Sequence, residues 1–387
     1  AWKDLGVYVA GQPGAYQTKP TDSPMRMIDL LRHTSGLTYG FQLRTTVDAA
    51  YRKARLEPFE QTGGLQGFVD ALAKVPLEFS PGTAWNYSVA TDVLGYLVGR
   101  ISGVPFERFL QERIFGPLGM VDTSFTVPAD KAHRLTACYA AGQLGSKSVL
   151  QGAPKLQDDP ATSPYLTETQ FHSGGGGLVS TADDYMKFAR MLLNGGDLDG
   201  VRLLGPKTIQ LMASNHLPGG KDLTQMSKSL FSEATNAGVG FGLGFAVRTS
   251  SGEAAYPAGL GEYYWGGAGG TYMWVDPAQD LFVVFMMQSP KQRVPYRSAL
   301  RNLVNAAINL RRDLACAVGG QLARSLNAVT PASKGQHQQR KHRLTQHGQQ
   351  AAPDTAPLCG VECIHPITRK VLSCLFRGQA SERRRHG

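Results

Sequence analysis

Residues 81–103 read PGTAWNYSVATDVLGYLVGRISG, and this stretch decides how the rest of the chain is interpreted. Its apolar residues recur at helical spacing and predict a helix with one buried face, formed by Val89, Val93, Leu94, Leu97, Val98 and Ile101. Ser88 is the expected N-cap of this helix, and Gly103 is its expected end. Tyr87 then lies at the mouth of a buried helix, where a phenol is either a catalytic group or a packing residue. The stretch alone leaves both interpretations open.

Composition is ordinary for a soluble globular protein. The 387 residues are 42% hydrophobic and 18% charged, which is enough for one large core or two smaller ones. No apolar run approaches the roughly 20 residues that a membrane-spanning helix needs, so we expect no membrane span. The chain begins Ala1-Trp2-Lys3 without a Met, as a chain cut at its front would. The compartment, cytoplasmic or periplasmic, stays open.

Charge and cysteine divide the chain into two predicted parts. Residues 315–387 carry 11 Lys or Arg against 3 Asp or Glu, a net charge of +8 out of a total of +10. Residues 1–314 are therefore nearly neutral, and of the five cysteines they hold Cys138 alone. We expect a globular domain over 1–314 without a disulfide framework, followed by a basic, disordered tail over 315–387.

Two more specific functions of the tail are considered, contact with an anionic surface and metal binding. Its basic clusters are typical of contact with nucleic acid or another anionic surface, which would make the chain a non-catalytic binding protein. Its other polar cluster has the spacing C-x3-C-x-H-x8-C, formed by Cys359, Cys363, His365 and Cys374. This spacing is too loose for a recognisable metal site. We favour a tail without a metal and regard nucleic acid as an unfavoured partner.

The element pattern places helices before a sheet. A strand is predicted at 4–9 and a loop at 11–24, and the region 140–170 is expected to be surface loop. A short helix is predicted within 25–37, ending at the break Thr34-Ser35-Gly36. Further helices are predicted at 66–75, 105–116, after the apparent capping box at 180–183, at 205–214 and at 296–312. Strands are predicted at 238–248, 271–277 and 281–287, the last two as a hairpin. This order indicates an α+β architecture.

Four segments in order resemble the serine β-lactamase and penicillin-binding-protein superfamily, and more narrowly its class C-related carboxylesterases, called family VIII. They are LRHTSGL at 31–37, PGT at 81–83 with Tyr87-Ser88, the glycine run at 174–177 through Thr181, and WGGAGG at 265–270. The resemblance covers roughly residues 5–312. It implies a β-lactamase/transpeptidase-like fold, in which helices flank an antiparallel sheet beside a helical subdomain.

The resemblance also implies site residues. Such proteins use a Ser-x-x-Lys helix start, a catalytic phenol and a sheet segment beside the nucleophile. The phenol falls on Tyr87, the substrate-binding segment falls on Trp265, Gly266 and Gly267, and the oxyanion-hole amide falls on Ala268. No cofactor or metal is implied.

Two departures from the pattern favour the esterase branch. Position 89 is Val where the family often has Asn or Ser, and position 265 is Trp where β-lactamases carry Lys. An indole cannot pair with a substrate carboxylate as an ammonium does. The resemblance therefore implies a small, uncharged acyl ester or amide substrate, cleaved through an acyl-serine intermediate.

The expected nucleophile is missing. No Ser in the 387 residues is followed by Lys three positions later; Ser23, with Arg26, comes nearest. We expect the chain to begin after this segment, to lack the central helix and early strands, and to expose an unpaired sheet edge near 271–287. Of the remaining polar candidates, His33 and His172 are expected to be structural, and Asp183 and Asp184 to be helix-start charges.

Overall fold

The computed structural model describes residues 2–56, 63–140, 143–144, 150–151, 154–228, 237–254 and 256–308. In these ranges the helices are α1 (Met27–Leu31), α2 (Thr46–Lys53), α3 (Gly64–Leu72), α4 (Ala90–Ser102), α5 (Phe106–Leu110), α6 (Ala182–Leu193), α7 (Pro206–Met212), α8 (Leu223–Met226) and α9 (Arg293–Ala307). The strands are β1 (Val7–Gln12), β2 (Ala15–Lys19), β3 (Cys138–Ala140), β4 (Gln143–Leu144), β5 (Leu150–Gln151), β6 (Lys155–Asp158), β7 (Asp197–Leu198), β8 (Val201–Arg202), β9 (Val239–Phe241), β10 (Ala246–Arg248), β11 (Tyr263–Gly266), β12 (Tyr272–Asp276) and β13 (Leu281–Phe285).

Five antiparallel strands form the main sheet, in the order β13-β12-β11-β10-β9. Each strand pairs with its neighbour in sequence, and in the predicted β12–β13 hairpin Trp274 lies opposite Val283. Asp280 takes a left-handed φ of 51° in the turn between them. Short helices precede this sheet and α9 follows it, which confirms the predicted α+β architecture.

The two faces of the sheet pack against different helices, because side chains alternate along each strand. One face packs against α6 and contributes the buried Tyr263, Met273, Val275 and Val284. The opposite face packs against Leu300 and Val304 of α9 and contributes Tyr264, Tyr272, Trp274 and Val283. The sheet therefore lies between two helical layers.

Helices α1 to α4 build a separate core around the buried Tyr51, Phe68 and Leu72. The β1–β2 hairpin joins this helical subdomain through Leu77, whose carbonyl accepts from Tyr8 N and whose amide donates to Gly6 O, both at 2.9 Å. Tyr87 packs against both this core and the α9 face of the sheet. The start of α4 thus lies where the two cores meet.

Several predicted elements differ from the structure near tight turns. The predicted loop at 11–24 contains β2, because Gly14 takes a φ of 98° and lets the chain reverse into a hairpin. The single strand predicted at 238–248 is two antiparallel strands, β9 and β10, with Gly244 at φ 98° between them. Within the predicted loop at 140–170, β6 pairs with β3. The predicted helix at 25–37 is limited to α1, and His33 leaves helical geometry with a φ of 57°.

Two predicted caps are one residue out of register. The N-cap of α4 is Val89, although Ser88 Oγ does accept from Ala90 N at 3.4 Å. The N-cap of α6 is Thr181, whose hydroxyl accepts from Asp184 N at 3.2 Å. A run of adjacent polar residues leaves the capping position ambiguous in the sequence, and only the backbone geometry selects one.

The remaining predictions concern the other helices, the tail and membrane-spanning segments. The helices expected at 66–75, 105–116 and 205–214 are present as α3, α5 and α7, and the closing helix is present as α9. The tail, with its predicted disorder and its Cys359, Cys363, His365 and Cys374 cluster, lies outside the described residues. None of the helices in the described ranges combines the length and the apolar character needed to cross a membrane.

Candidate active site

The segment before α4 is held on both sides by backbone hydrogen bonds. Trp85 N donates to Met226 O, and Trp85 O accepts from Lys228 N, both at 2.9 Å. Asn86 N donates to His33 O at 2.9 Å. Tyr87 follows directly, and its carbonyl accepts from Gln42 Nε2 at 2.5 Å. The backbone that carries the phenol is therefore fixed by three separate parts of the chain.

Aromatic rings surround the Tyr87 phenol. Its ring centroid lies 5.0 Å from that of His33, 5.1 Å from that of Tyr39 and 5.2 Å from that of Trp265. The polar groups of Trp265 and Tyr39 both lower the pKa of the phenol. The two motifs, 178 residues apart in sequence, therefore meet.

Burial and hydrogen bonding act in opposite directions on the Tyr87 pKa. Burial raises the pKa of this phenol above its usual value and outweighs the Trp265 hydrogen bond, which lowers it. The charge of Asp92 adds to the increase, whereas the guanidinium of Arg293 opposes it. The described residues therefore keep Tyr87 protonated at neutral pH.

His33 is a neutral packing residue in this site. Its side chain is buried beside Trp85 and Phe241, with ring centroids 6.0 and 5.4 Å away. Burial lowers its pKa to about 3, and its Nδ1 lies 3.3 Å from Ser88 Oγ. An imidazole that stays neutral at physiological pH supports the structural role expected for His33.

The other polar candidates make local contacts. His172 Nδ1 lies 3.1 Å from Glu107 Oε2. Asp184 is buried in the first turn of α6, where it accepts from Thr123 Oγ1 at 3.0 Å. Asp183 occupies the same first turn, so both carboxylates lie where helix-start charges are favourable.

Strand β11 ends in the glycine-rich segment, and each glycine meets a specific neighbour. A Cβ on Gly266 would lie 2.5 Å from Arg297 Nη2, and one on Gly267 would lie 2.3 Å from Thr271 Oγ1. Gly267 N donates to Thr271 O at 2.9 Å, and Gly267 O accepts from Arg297 Nη2 at 2.8 Å. These contacts fix the turn that carries Ala268.

Ala268 presents its two backbone groups differently. Its carbonyl accepts from Arg293 Nη1 at 3.4 Å. Its N–H forms no hydrogen bond with any residue that the structure describes. Ala268 is exposed, so its N–H is accessible to water or to an external acceptor.

Two residues of this site were missed in the sequence. Arg293, on α9, lowers the pKa of Tyr87 and donates to the Ala268 carbonyl, and the Tyr39 ring lies 5.1 Å from the Tyr87 ring. No local pattern marks Arg293 or Tyr39, because the sheet and helices that bring them to Tyr87 come from distant sequence. The spacing of Tyr39 from the LRHTSGL motif is the one signal available.

Neither a metal site nor a bound cofactor is suggested by the side chains that the structure describes. Within those ranges, no group of three or more His, Cys, Asp or Glu could hold a metal ion. What the described residues do assemble is a phenol packed against an indole, with an accessible backbone amide three residues after that indole. A phenol together with a backbone donor suits acyl-transfer chemistry.

The fold and these paired motifs define a protein of the serine β-lactamase and penicillin-binding-protein class. The chain belongs to the β-lactamase family, whose family model matches residues 8–307. It is 38% identical over 275 residues to Protein Rv1367c of Mycobacterium tuberculosis, a match that covers 70% of this chain and 64% of that relative. The chain thus spans somewhat less than two thirds of the length of this relative.

Named relatives and solved structures agree with this assignment. Esterase EstB of Burkholderia gladioli is 29% identical over 301 residues, covering 72% of this chain and 68% of the esterase. The simvastatin synthase LovD of Aspergillus terreus superposes with a TM-score of 0.63 at 23% identity, covering 80% of this chain and 76% of that one. The family of this chain therefore includes esterases, and its fold is shared with a simvastatin synthase.

Proposed function

We propose that this chain carries the tyrosine side and the oxyanion-hole side of an esterase-type serine hydrolase site. The observation that supports this most directly is the contact between Tyr87 and Trp265, whose ring centroids are 5.2 Å apart. Ala268, with its unused N–H, follows Trp265 by three residues. A phenol and a backbone donor on two sides of one space suit the attack of a serine hydroxyl on an ester.

The chemistry assigns a step to each group. Tyr87 takes the proton from the attacking hydroxyl and later returns it to the leaving alcohol oxygen. The Ala268 N–H donates to the oxyanion that forms as the carbonyl carbon becomes tetrahedral. Burial raises the pKa of Tyr87, and the surrounding groups that the structure describes do not offset this effect, so the phenol stays protonated. A further cation is therefore required before Tyr87 can act as a base. In the family pattern that cation is the Lys of Ser-x-x-Lys.

The surroundings of Tyr87 favour an uncharged acyl group. Trp265 contributes an indole, and Phe41, 49% exposed, stacks on Tyr39 with centroids 4.8 Å apart. The Arg293 guanidinium donates a hydrogen bond to the Ala268 carbonyl. This carbonyl oxygen partly compensates the positive charge, which leaves less of it to bind an anionic substrate. Short aliphatic acyl esters are the substrates that this lining fits best.

The proposed site also needs a serine nucleophile and a lysine. No Ser in the sequence precedes a Lys by three positions, so the proposal requires a Ser-x-x-Lys segment that these 387 residues do not contain. The test is to join such a segment, taken from an active esterase of the family, ahead of residue 1. The fused protein is then assayed with p-nitrophenyl butyrate, and its intact mass is measured during turnover.

We expect the fused protein to release nitrophenol in a burst and to carry a butyryl group on the added serine. The chain without the added segment should show neither. A folded fusion without an acyl adduct would contradict the proposal. A burst from the chain alone would show that a different nucleophile is present.

A further inference from the structure

Asp92 is a buried carboxylate that no step above uses. It lies in the first turn of α4, and its side chain is fully buried. Its Oδ1 accepts from Ser173 Oγ and, at 3.2 Å, from Gly175 N. Its Oδ2 accepts no hydrogen bond of ordinary geometry from the described residues. A buried carboxylate oxygen without a donor destabilises the fold, so its retention needs a reason.

Three side-chain oxygens converge beside Gly175. A Cβ on Gly175 would lie 2.8 Å from Tyr39 Oη, 2.8 Å from Thr91 Oγ1 and 3.0 Å from Asp92 Oδ2. A side chain at this position would collide with all three oxygens, so only glycine allows them to come this close. Asp92 Oδ2 therefore lies near the Tyr39 hydroxyl.

This group of oxygens adjoins the proposed catalytic phenol. Tyr39 contributes one of the three oxygens, and its ring packs against the ring of Tyr87. The two rings, here called the tyrosine pair, have centroids 5.1 Å apart. Asp92, Tyr39 and Tyr87 thus form a line that runs from the buried carboxylate to the site.

We propose that Asp92 is a positioning residue that acts through Tyr39 and controls how firmly Tyr87 holds its proton. This rests on the proposed function of Tyr87. When Asp92 is ionised, its negative charge favours protonated phenols on the tyrosine pair, so that Tyr87 is ready to return its proton to the leaving alcohol oxygen. When Asp92 is protonated, this restraint is removed and Tyr87 gives up its proton more readily.

The electrostatics of the surrounding elements agree with this role. Burial raises the pKa of Asp92 to about 6, against the hydrogen bonds from Ser173 and Gly175, so the carboxyl ionises near neutral pH. Its charge raises the pKa of both members of the tyrosine pair. From other elements, Arg293 on α9 and Trp265 on β11 act on Tyr87 in the opposite direction. A carboxylate that served only to cap residues 173–175 would not be coupled to the two phenols.

The test is an NMR titration of the full chain labelled with 13Cζ-tyrosine, which needs no turnover. The Tyr39 and Tyr87 signals are assigned from Tyr39→Phe and Tyr87→Phe. We expect both signals to shift as the pH passes through about 6, and we expect the shift to be absent in Asp92→Asn. His172→Gln is the matched control, because it changes the residue next to Ser173 in sequence and leaves Asp92 intact; the shift should persist there.

A folded Asp92→Asn variant that retains the shift would overturn the proposal, as would a wild-type chain in which neither signal moves. If Asp92→Asn does not fold, Ser173→Ala is decisive. Loss of its hydrogen bond to the carboxylate should move the midpoint of the shift to higher pH. An unmoved midpoint would overturn the proposal. Since the readout is independent of ester cleavage, its outcome is separate from that of the fusion assay.

Discussion

At the scale of single residues, the buried His33 ring packs against Tyr87 of the candidate site and against Phe241 of the sheet, and it must stay neutral there. Its folded pKa is about 3, well below the value near 6.5 expected in the unfolded chain. The stabilisation from neutral His33 is complete above pH 6.5 and is lost as the pH falls toward 3. Replacement by Asn, which tolerates the φ of 57°, removes this dependence.

We therefore expect the free-energy difference of unfolding between the wild type and His33→Asn to shrink on acidification. The change should be about 2 kcal/mol between pH 7 and pH 5, since the unfolded histidine gains a proton that the folded one refuses. Urea unfolding at the two pH values measures it. The free energies of unfolding of the two proteins are compared because Asp92 also titrates in this range. Its pKa is raised in the fold, so acidification stabilises both proteins through Asp92, and this contribution cancels in the difference between them. A difference independent of pH would mean that His33 is protonated in the fold.

Gly266 is required by the guanidinium next to it. We expect Gly266→Ala to destabilise the fold by about 1–3 kcal/mol, because the new methyl group would displace Arg297 from the turn. Gly176→Ala is the matched control: Gly176 is exposed, and no atom lies within 4 Å of the point that its Cβ would occupy. Thermal denaturation of the two variants measures the effect. Equal melting temperatures would show that the Arg297 contact is dispensable.

The family resemblance assigns Tyr87 and the Trp265–Ala268 segment to the site, because each falls in a local motif of turns and glycines. Arg293 and Asp92 could not be located in this way. Arg293 begins a helix predicted three residues later, and Asp92 resembles an ordinary first-turn acid on α4. Their relation to the phenol depends on packing between distant segments, which the sequence pattern does not encode.

At the scale of elements, α9 is attached to the sheet through Arg301. Its Nε donates to Tyr272 Oη at 2.8 Å, and its Nη1 pairs with the buried Glu262. The guanidinium also lies over the rings of Tyr256 and Trp274, 4.2 and 5.1 Å from their centroids. Since α9 also supplies Arg293, this attachment positions a charge beside the candidate site.

Arg301→Met should cost about 3–5 kcal/mol, because it leaves Glu262 buried without its partner. The double variant Arg301→Met/Glu262→Met should be more stable than Arg301→Met alone, since it removes the stranded carboxylate. Guanidinium unfolding of the wild type, both single variants and the double variant forms a complete cycle. Additive effects of the two substitutions would contradict a coupled buried pair.

The pattern of apolar residues predicted most helices and the β12–β13 hairpin correctly. Tight reversals were the main source of error. The β1–β2 and β9–β10 hairpins turn at Gly14 and Gly244, whose left-handed backbone a period of apolar residues does not reveal. A glycine in a strand pattern indicates either close packing or a reversal, and the sequence alone does not separate the two.

At the scale of the whole molecule, the main sheet has an open side. Among the described residues, β13 pairs with β12 alone, and Leu281, Phe282 and Phe285 are only partly buried there. An edge with apolar side chains and unpaired backbone groups favours pairing with another chain.

We expect the chain to self-associate reversibly as its concentration rises, because edge pairing satisfies the free backbone groups of β13. Sedimentation velocity over a concentration series measures this. A chain ending at residue 308 is the control, since it separates the sheet edge from the basic tail. Both proteins should associate. A monodisperse monomer with a sharp thermal transition would contradict the expectation.

The central claim is that Tyr87 and the Trp265–Ala268 segment form two sides of one ester-cleaving site. The most direct measurement is kcat/KM toward p-nitrophenyl butyrate for the fused protein and its Tyr87→Phe variant. Tyr96→Phe, which removes an exposed phenol from α4, is the matched control. The account predicts a loss of about 100-fold or more for Tyr87→Phe and almost none for Tyr96→Phe. A folded Tyr87→Phe protein that retains full kcat/KM would contradict it.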